Sequence, residues 1–530
     1  MRRREFLSAA LGAAALSAFG TQIARAADGK TVLRYVPGAD PSVLDPILTT
    51  STPTRDHAYL IFDTLISVDD KNVPQPQMAE SWSASEDFKT WAITLREGLT
   101  FHDGSPVRAK DVVASLNRWA ARDNSGKKLW GVLDQIVAVD DRTVRLDLKE
   151  RFTLVADFLG KASALMPAIM PERLALTNAT TPVSELIGSG PYRFVKEEYV
   201  PGAQLVYERF EGYKPRADGQ PLETSGPKVA HIDRIEWKII PDGATAFSAL
   251  MSGEIDWWQR PLPDLLPILK ADPSITVTVK ETTGMMGILR FNSLVPPFNN
   301  PKVRQLVLSA IDQADFMKAV VGDNSELWKA PLGCFPIGTS MASDVGLEKI
   351  AARKDFDKIK QELIAAGYKN EPLVMLAATD AIAENALSLV AADLFRKMGF
   401  NVDFQAMDWA SVAQRRASKA LPSEGGWSCF ITGAGGDNFI SPAVSVIIRG
   451  NGEQGWFGWF ESQELEALCQ SWLVAGSLEE RQRIARDIQV VALTEVPFVP
   501  LGQYYLPTAY RSKYDVKRSG FPQFYDATVS

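Results

Sequence analysis

Short strands and amphipathic helices alternate from residue 31 to the end of this 530-residue chain, with no internal repeat and no long biased linker between them. Solenoids and coiled coils need a period, and a helical bundle has no place for the strands. Residues 31–36, 192–195, 204–207 and 232–239 read as strands, the last running into a helix over 244–251. Residues 136–139 and 143–148 flank Asp140-Asp141-Arg142, a turn-forming link, and read as a hairpin. A helix is predicted over 108–121, with Asp111 in its first turn. Asn300-Pro301 supplies the N-cap and first residue of a sharp helix start. A helix over 355–366 is stopped by Gly367. Over 382–398, Leu387, Val390, Ala391, Leu394 and Met398 share one face; Gly399 ends that helix and a strand follows over 401–405. Strand, helix and strand in that order imply a parallel sheet with a right-handed crossover. A further strand over 427–432 and helices over 463–473 and 478–492 complete an α/β pattern.

Hydrophobic residues at 46% and charged residues at 23% suit a packed core and exclude a disordered chain. The net charge is −7, and removing the basic first 26 residues would make the remainder more acidic. Such a chain is poorly suited to nucleic-acid phosphates or an anionic membrane. Cys334, Cys429 and Cys469 allow one bridge and no CxxC pair, and His57, His102 and His231 lie far apart. Zinc-protease, phosphate-loop and nucleophile-elbow motifs are missing, so no catalytic residue, metal or cofactor is expected. His102-Asp103 reads as a polar turn. Gly433-Ala434-Gly435-Gly436 leads into Asp437 and Asn438 rather than a Lys-bearing helix start, and so reads as a cleft loop instead of a phosphate cradle.

The chain starts Met1-Arg2-Arg3-Arg4-Glu5-Phe6-Leu7, a twin-arginine export pattern. An Ala-rich apolar stretch over 7–19 and Ala24-Arg25-Ala26, with small residues at the −3 and −1 positions, complete a signal peptide over 1–26. The stretch is too short to span a bilayer, so a soluble product outside the cytoplasm is expected, cleaved near Ala26.

Several strings in order resemble one family, the large solute-binding proteins of peptide, nickel and opine-type ABC importers (family 5). They are Leu44-Asp45-Pro46, Asp63-Thr64-Leu65, Met78-Ala79-Glu80-Ser81-Trp82, Arg96-Glu97-Gly98-Leu99-Thr100-Phe101-His102-Asp103-Gly104, Ile187-Gly188-Ser189-Gly190-Pro191-Tyr192, Gly253-Glu254-Ile255-Asp256 and Pro296-Pro297-Phe298. The resemblance implies a type II periplasmic-binding-protein fold in its large three-domain form. One lobe would take 28–52, 187–280 and 500–530, an added domain packed on it 53–186, and the second lobe 281–499. Ligand would lie between the lobes and be released unchanged to a membrane permease with cytoplasmic ATPases. The twin-arginine machinery is a further implied partner, and the chain would act as a monomer. A sensory co-receptor and an exported hydrolase are the alternatives.

Four of the chain's 13 tryptophans, Trp409, Trp427, Trp456 and Trp459, fall within 405–460, where the resembled family places much of its pocket. The candidate ligand contacts are Asp40, Met285, Met286, Trp409, Trp427, Ser428, Phe430, Thr432, Asp437 and Trp456. Peptide-binding members hold the ligand's α-amino group with an Asp after the strand matching 427–432. Here that position falls on Thr432 or Ala434, depending on the alignment, and neither is acidic. The expected ligand is thus a small organic or peptide-like solute rather than an ordinary free-amine peptide.

Overall fold

The computed structural model describes residues 30–530, and the expected export signal lies outside them. Two large sheets dominate. The first runs Ile275–Thr278, Thr508–Arg511, Trp257–Trp258, Val32–Val36, Arg234–Lys238, Gln204–Arg209 and Tyr192–Phe194. Val32–Val36 is parallel to both its neighbours, and the remaining pairs are antiparallel. Its core is aromatic. The Tyr35 ring sits 5.1 Å from Trp237, 5.2 Å from Trp257 and 5.0 Å from Phe524, all fully buried, and each such pair adds about 1 kcal/mol beyond area burial.

The second sheet runs Trp328–Lys329, Phe498–Tyr504, Met285–Phe291, Cys429–Gly435, Pro372–Ala378 and Asn401–Met407. Pro372–Ala378 and Asn401–Met407 pair in parallel through the helix Ile382–Met398, the crossover that the order of elements implies. Asn300 Oδ1 accepts from the Lys302 N–H at 3.0 Å and caps Pro301–Ala310 as read. The strand predicted over 427–432 runs instead over Cys429–Gly435, two residues later, because Trp427 and Ser428 turn into it from a glycine-rich bend.

A four-stranded antiparallel sheet, Ala79–Ala84, Thr90–Leu95, Thr143–Leu148 and Leu133–Ala138, forms a third unit. The predicted hairpin is there, with Ile136 opposite Leu146, and Asp140 Oδ1 accepts from the Arg142 and Thr143 N–H groups to close its turn. The helix Ala109–Ala120 starts where Asp111 Oδ2 accepts from the Arg108 N–H.

Packing shifts two expected boundaries. Phe498–Tyr504 lies wholly in the second sheet, so the return crossing falls at 505–507 and lobe I cannot begin at 500. Thr52–Ile61 packs Ala58, Tyr59, Leu60 and Ile61 into the aromatic core of the first lobe, although its sequence falls in the added domain. The added domain also reaches lobe II. One apolar cluster joins Leu129 and Phe158 to Ile447, Leu465 and Trp472, and Lys128 Nζ donates to the Ala443 carbonyl at 2.6 Å.

Ion pairs out of solvent bind the parts of the first lobe. Lys228 Nζ lies 2.8 Å from Asp63 Oδ1, with both side chains essentially unexposed, and Tyr213 donates to Asp63 Oδ2 at 2.9 Å. Arg118 and Asp45 form a second such pair at 2.8 Å, fastening the loop after the first strand to the added domain. Asp63→Ala strands a buried ammonium and is expected to cost about 3–5 kcal/mol. Adding Lys228→Met should return most of that loss, both read by denaturant unfolding.

Candidate functional site: the cleft between the lobes

The two large sheets are linked at 279–284 and 505–507, and the ends of their strands face each other beside these crossings. Gly284 has φ +59°, and a Cβ there would stand 2.7 Å from the Tyr504 carbonyl oxygen, so glycine is required. The Gly284 carbonyl accepts from Gly436 N–H at 2.7 Å, and Gln503 Nε2 donates to the Thr283 carbonyl at 2.9 Å.

From lobe I come Asp40, Gln259, Arg260 and Arg55. Gln259 Oε1 accepts from Gly38 N–H at 2.6 Å while its Nε2 donates to Asp56 Oδ2 at 3.1 Å, fixing the loop after the first strand. Asp40 Oδ1 is out of solvent with no hydrogen-bond partner. Arg260 is exposed and has no ion pair within 4.0 Å among the described residues. Arg55 is buried: its Nε donates to Asp56 Oδ1 at 3.0 Å, its guanidinium covers the Phe521 ring at 4.1 Å, and its Nη1 lies 3.8 Å from both Glu281 and Asp437. Burial alone would lower the Arg55 pKa; the carboxylates of Asp56, Glu281 and Asp437 more than reverse that.

Opposite lie Met285, Glu384, Gly433, Asp437 and Tyr504. Glu384 sits in the first turn of Ile382–Met398, and a Cβ on Gly433 would be 3.1 Å from its Oε1. Burial raises the Glu384 pKa, against the Gly433 N–H and the Arg260 charge, which lower it. Burial also raises the Tyr504 hydroxyl, with the Glu384 charge adding to this and Arg260 opposing it. Arg260 and Glu384 thus feel each other's charge from different lobes. A cavity of about 30 Å³ beside Arg260, Glu281 and Met285 continues into a second of about 30 Å³ bounded by Arg55, Glu223, Glu281 and Asp437. Burial, then Glu281, pushes the Glu223 carboxyl up to about 8.

Among the residues proposed from sequence, Met285 lines the first cavity and Asp437 the second. Trp409 and Trp456 are half-buried, and part of their faces is taken by Arg416, whose guanidinium lies 5.2 and 5.6 Å from their ring centres and 4.6 Å from that of Phe457. Four assignments are corrected. Trp427 is fully buried, donates through Nε1 to the Ser418 carbonyl and packs on Phe430 and Trp459. Phe430 is equally buried in the same cluster. The Ser428 hydroxyl accepts from the Val374 N–H at 3.1 Å inside the sheet. Met286 has no exposed surface and belongs to the core. Thr432 is buried opposite Ile288 and stands just inside the strand end. Trp427 leads into a central strand packed on both faces, where no alternation separates wall from core. Arg260, Glu384 and Tyr504 were missed: each is a single polar residue at an element end, without a motif.

The His102-Asp103 turn is structural. His102 Nε2 meets the Gly190 carbonyl at 3.0 Å, and Asp103 Oδ1 accepts from Ser105. All three cysteines are free and buried.

The model for bacterial extracellular solute-binding proteins, family 5, middle region, matches residues 73–456. The chain belongs to this family. It is 37% identical over 514 residues to a probable peptide ABC transporter periplasmic-binding protein, y4tO, of Sinorhizobium fredii, covering 96% of this chain and 95% of that one. Among solved structures it is similar to AgaA from A.tumefacien R10 in complex with agropinic acid (TM-score 0.75, 23% identity, 94% and 99% covered). It is also similar to a dipeptide-binding protein of pseudoalteromonas sp. SM9913 in complex with Met-Leu (TM-score 0.74, 20% identity, 94% and 100% covered). The fold is the type II periplasmic-binding-protein fold, and this family member is a solute-binding component of an ABC importer.

Since Trp427 is core, Trp427→Ala is expected to cost about 3–5 kcal/mol of stability. A fall in melting temperature of several degrees in the unliganded protein checks this; an unchanged melting temperature would contradict it.

Proposed function

We propose that the cleft takes a small zwitterionic or peptide-like solute, held by Arg260 on one lobe and Glu384 on the other. What supports this reading is the exposed Arg260 guanidinium, without an ion pair within 4.0 Å among the described residues, lining the hinge-side cavity with Met285, while Glu384 on lobe II sits beside Gly433 near the end of the neighbouring strand. A ligand bridging both gains most when the lobes are shut, so binding shifts the population toward closure. The nearby peptide-binding relative supports the ligand class, and Glu384 stands beside the strand end where Thr432 and Ala434 offer no charge. No bond is made or broken; the solute leaves unchanged for the permease. Calorimetry with Ala-Ala, N-acetyl-Ala-Ala and Ala-Ala-amide tests the assignment. Glu384→Gln should weaken Ala-Ala at least tenfold but leave the acetylated form unaffected, and Arg260→Ala should weaken Ala-Ala likewise while leaving the amide unaffected. Identical affinities in wild type and both variants would overturn it.

The same reading places the protein in the periplasm as a monomer, exported by the twin-arginine route and cleaved near Ala26. Lysine at Arg3 and Arg4 together is expected to abolish its recovery from the periplasmic fraction. Undiminished recovery would assign it to another export route.

A further inference from the structure

Carboxylates reach Arg55 from both sides of the lobe seam, and they outnumber the cations there. Asp56 stands next to it in Thr52–Ile61, Glu281 comes from the hinge and Asp437 from lobe II. Glu281 and Asp437 lie at the same distance, 3.8 Å, from one guanidinium nitrogen, and Glu223 lines the same cavity. Asp69 and Asp70 of the added domain complete its acidic wall. The other cations are engaged. Arg518 Nε donates to Asp526 Oδ2 at 2.7 Å, and Lys280 Nζ donates to the Val516 carbonyl at 2.6 Å. Arg260 lines only the neighbouring cavity, beside Glu281, and burial keeps the Tyr59 phenol neutral.

Glu223 is held in this crowd by its backbone. Its φ is +43°, its carbonyl accepts from Arg518 Nη1 at 3.0 Å, and a Cβ on Gly520 would overlap its carboxylate. The Glu223 side chain has no hydrogen bond and no ion pair among the described residues. A half-buried carboxylate with like charges beside it and no donor of its own takes up a proton readily. Burial first, then Glu281, raises Glu223; burial, with Asp437 adding and Arg55 opposing, raises Glu281 as well. Both causes weaken when the lobes part, because Asp437 leaves with lobe II and water enters the seam.

We infer that Glu223 and Glu281 form a proton-operated latch on the lobe seam: one proton held between them lets Asp437 close onto Arg55, and its loss sets the carboxylates against one another and favours the open arrangement. The latch acts on the ligand-free protein and needs only that the lobes part, so it does not rest on the zwitterion reading. Closing tightens the hold on the proton. The contribution to closure is therefore complete below the ordinary Glu value of about 4.3 and is lost as pH rises through about 8, the value to which Glu223 is raised. Between these limits one proton is taken up on closing, and the closed-to-open ratio falls about tenfold per pH unit. Other buried groups titrate outside the middle of that range. Burial lowers Lys280, in the hinge, and Lys128, between the added domain and lobe II, to about 8. Burial lowers His57 to about 3 and His102 to about 4.

The experiment uses the full mature protein without ligand. Dyes on Ile268→Cys and Ile382→Cys, exposed positions on different lobes, report the closed and open populations by single-molecule energy transfer, and the three native cysteines are buried and stay unlabelled. Small-angle scattering gives the same populations without labels. The closed-to-open ratio is expected to fall about tenfold per unit between pH 5 and 7. The Glu223→Gln, Glu281→Gln double variant keeps the side-chain shapes but has no titrating carboxyl at the latch, and should hold its pH 5 ratio at pH 7. Glu223→Gln alone should retain most of that effect. A wild-type ratio that does not change with pH would overturn the inference, as would a double variant that keeps the wild-type slope.

Discussion

Arg55 is the charge around which the lobe seam is built. Its side chain is 4% exposed, and an isolated guanidinium at that depth would be costly. Asp56, next to it in the same helix, supplies one carboxylate. Glu281 comes from the hinge and Asp437 from the second lobe. Separating the lobes would withdraw Asp437 and let water reach the cation, so the closed arrangement and the solvation of one side chain are coupled. The Phe521 ring stacks against the guanidinium, and in the hinge the Gly284 and Thr283 carbonyls accept from the Gly436 N–H and from Gln503 Nε2.

Around that point the cleft is electrostatically uneven. Near Arg55 the carboxylates outnumber the cation, and burial with mutual repulsion raises Glu223 and Glu281. Toward Arg260 the Glu281 carboxylate still lines the cavity, and Glu384 adds a carboxyl from the second lobe. A ligand with opposite charges at its two ends matches this part of the seam without burying an unpaired ion. Farther along, between the added domain and lobe II, the walls turn apolar.

Much of the architecture could be read from residue pattern because it is set locally. Asn300 before Pro301, Asp111 in a first turn and Gly399 after an amphipathic stretch act within a few residues, and the caps and helices appear where these place them. The crossover helix between parallel strands follows from chirality. The candidate site was less legible. Tryptophan enrichment did not separate exposed rings from core ones. Trp427 and Phe430 fill the space between the sheet, the helix Trp409–Arg415 and residues 456–459, while Trp409 and Trp456 hold Arg416. The strand Phe498–Tyr504, buried throughout and interrupted by Pro500 and Gly502, gave no alternation by which to assign its sheet.

What the sequence determined alone is the set of elements, their order and the ordered strings that mark the family, since capping, helical periodicity and turn chemistry are short-range. Tertiary structure decided which polar residues share the cleft. Arg55, Arg260, Glu281, Glu384 and Asp437 are scattered over nearly 400 positions, and only the double crossing between the sheets brings their charges within reach of one another. Electrostatic partnership depends on distance and burial in space, and neither is encoded in spacing along the chain.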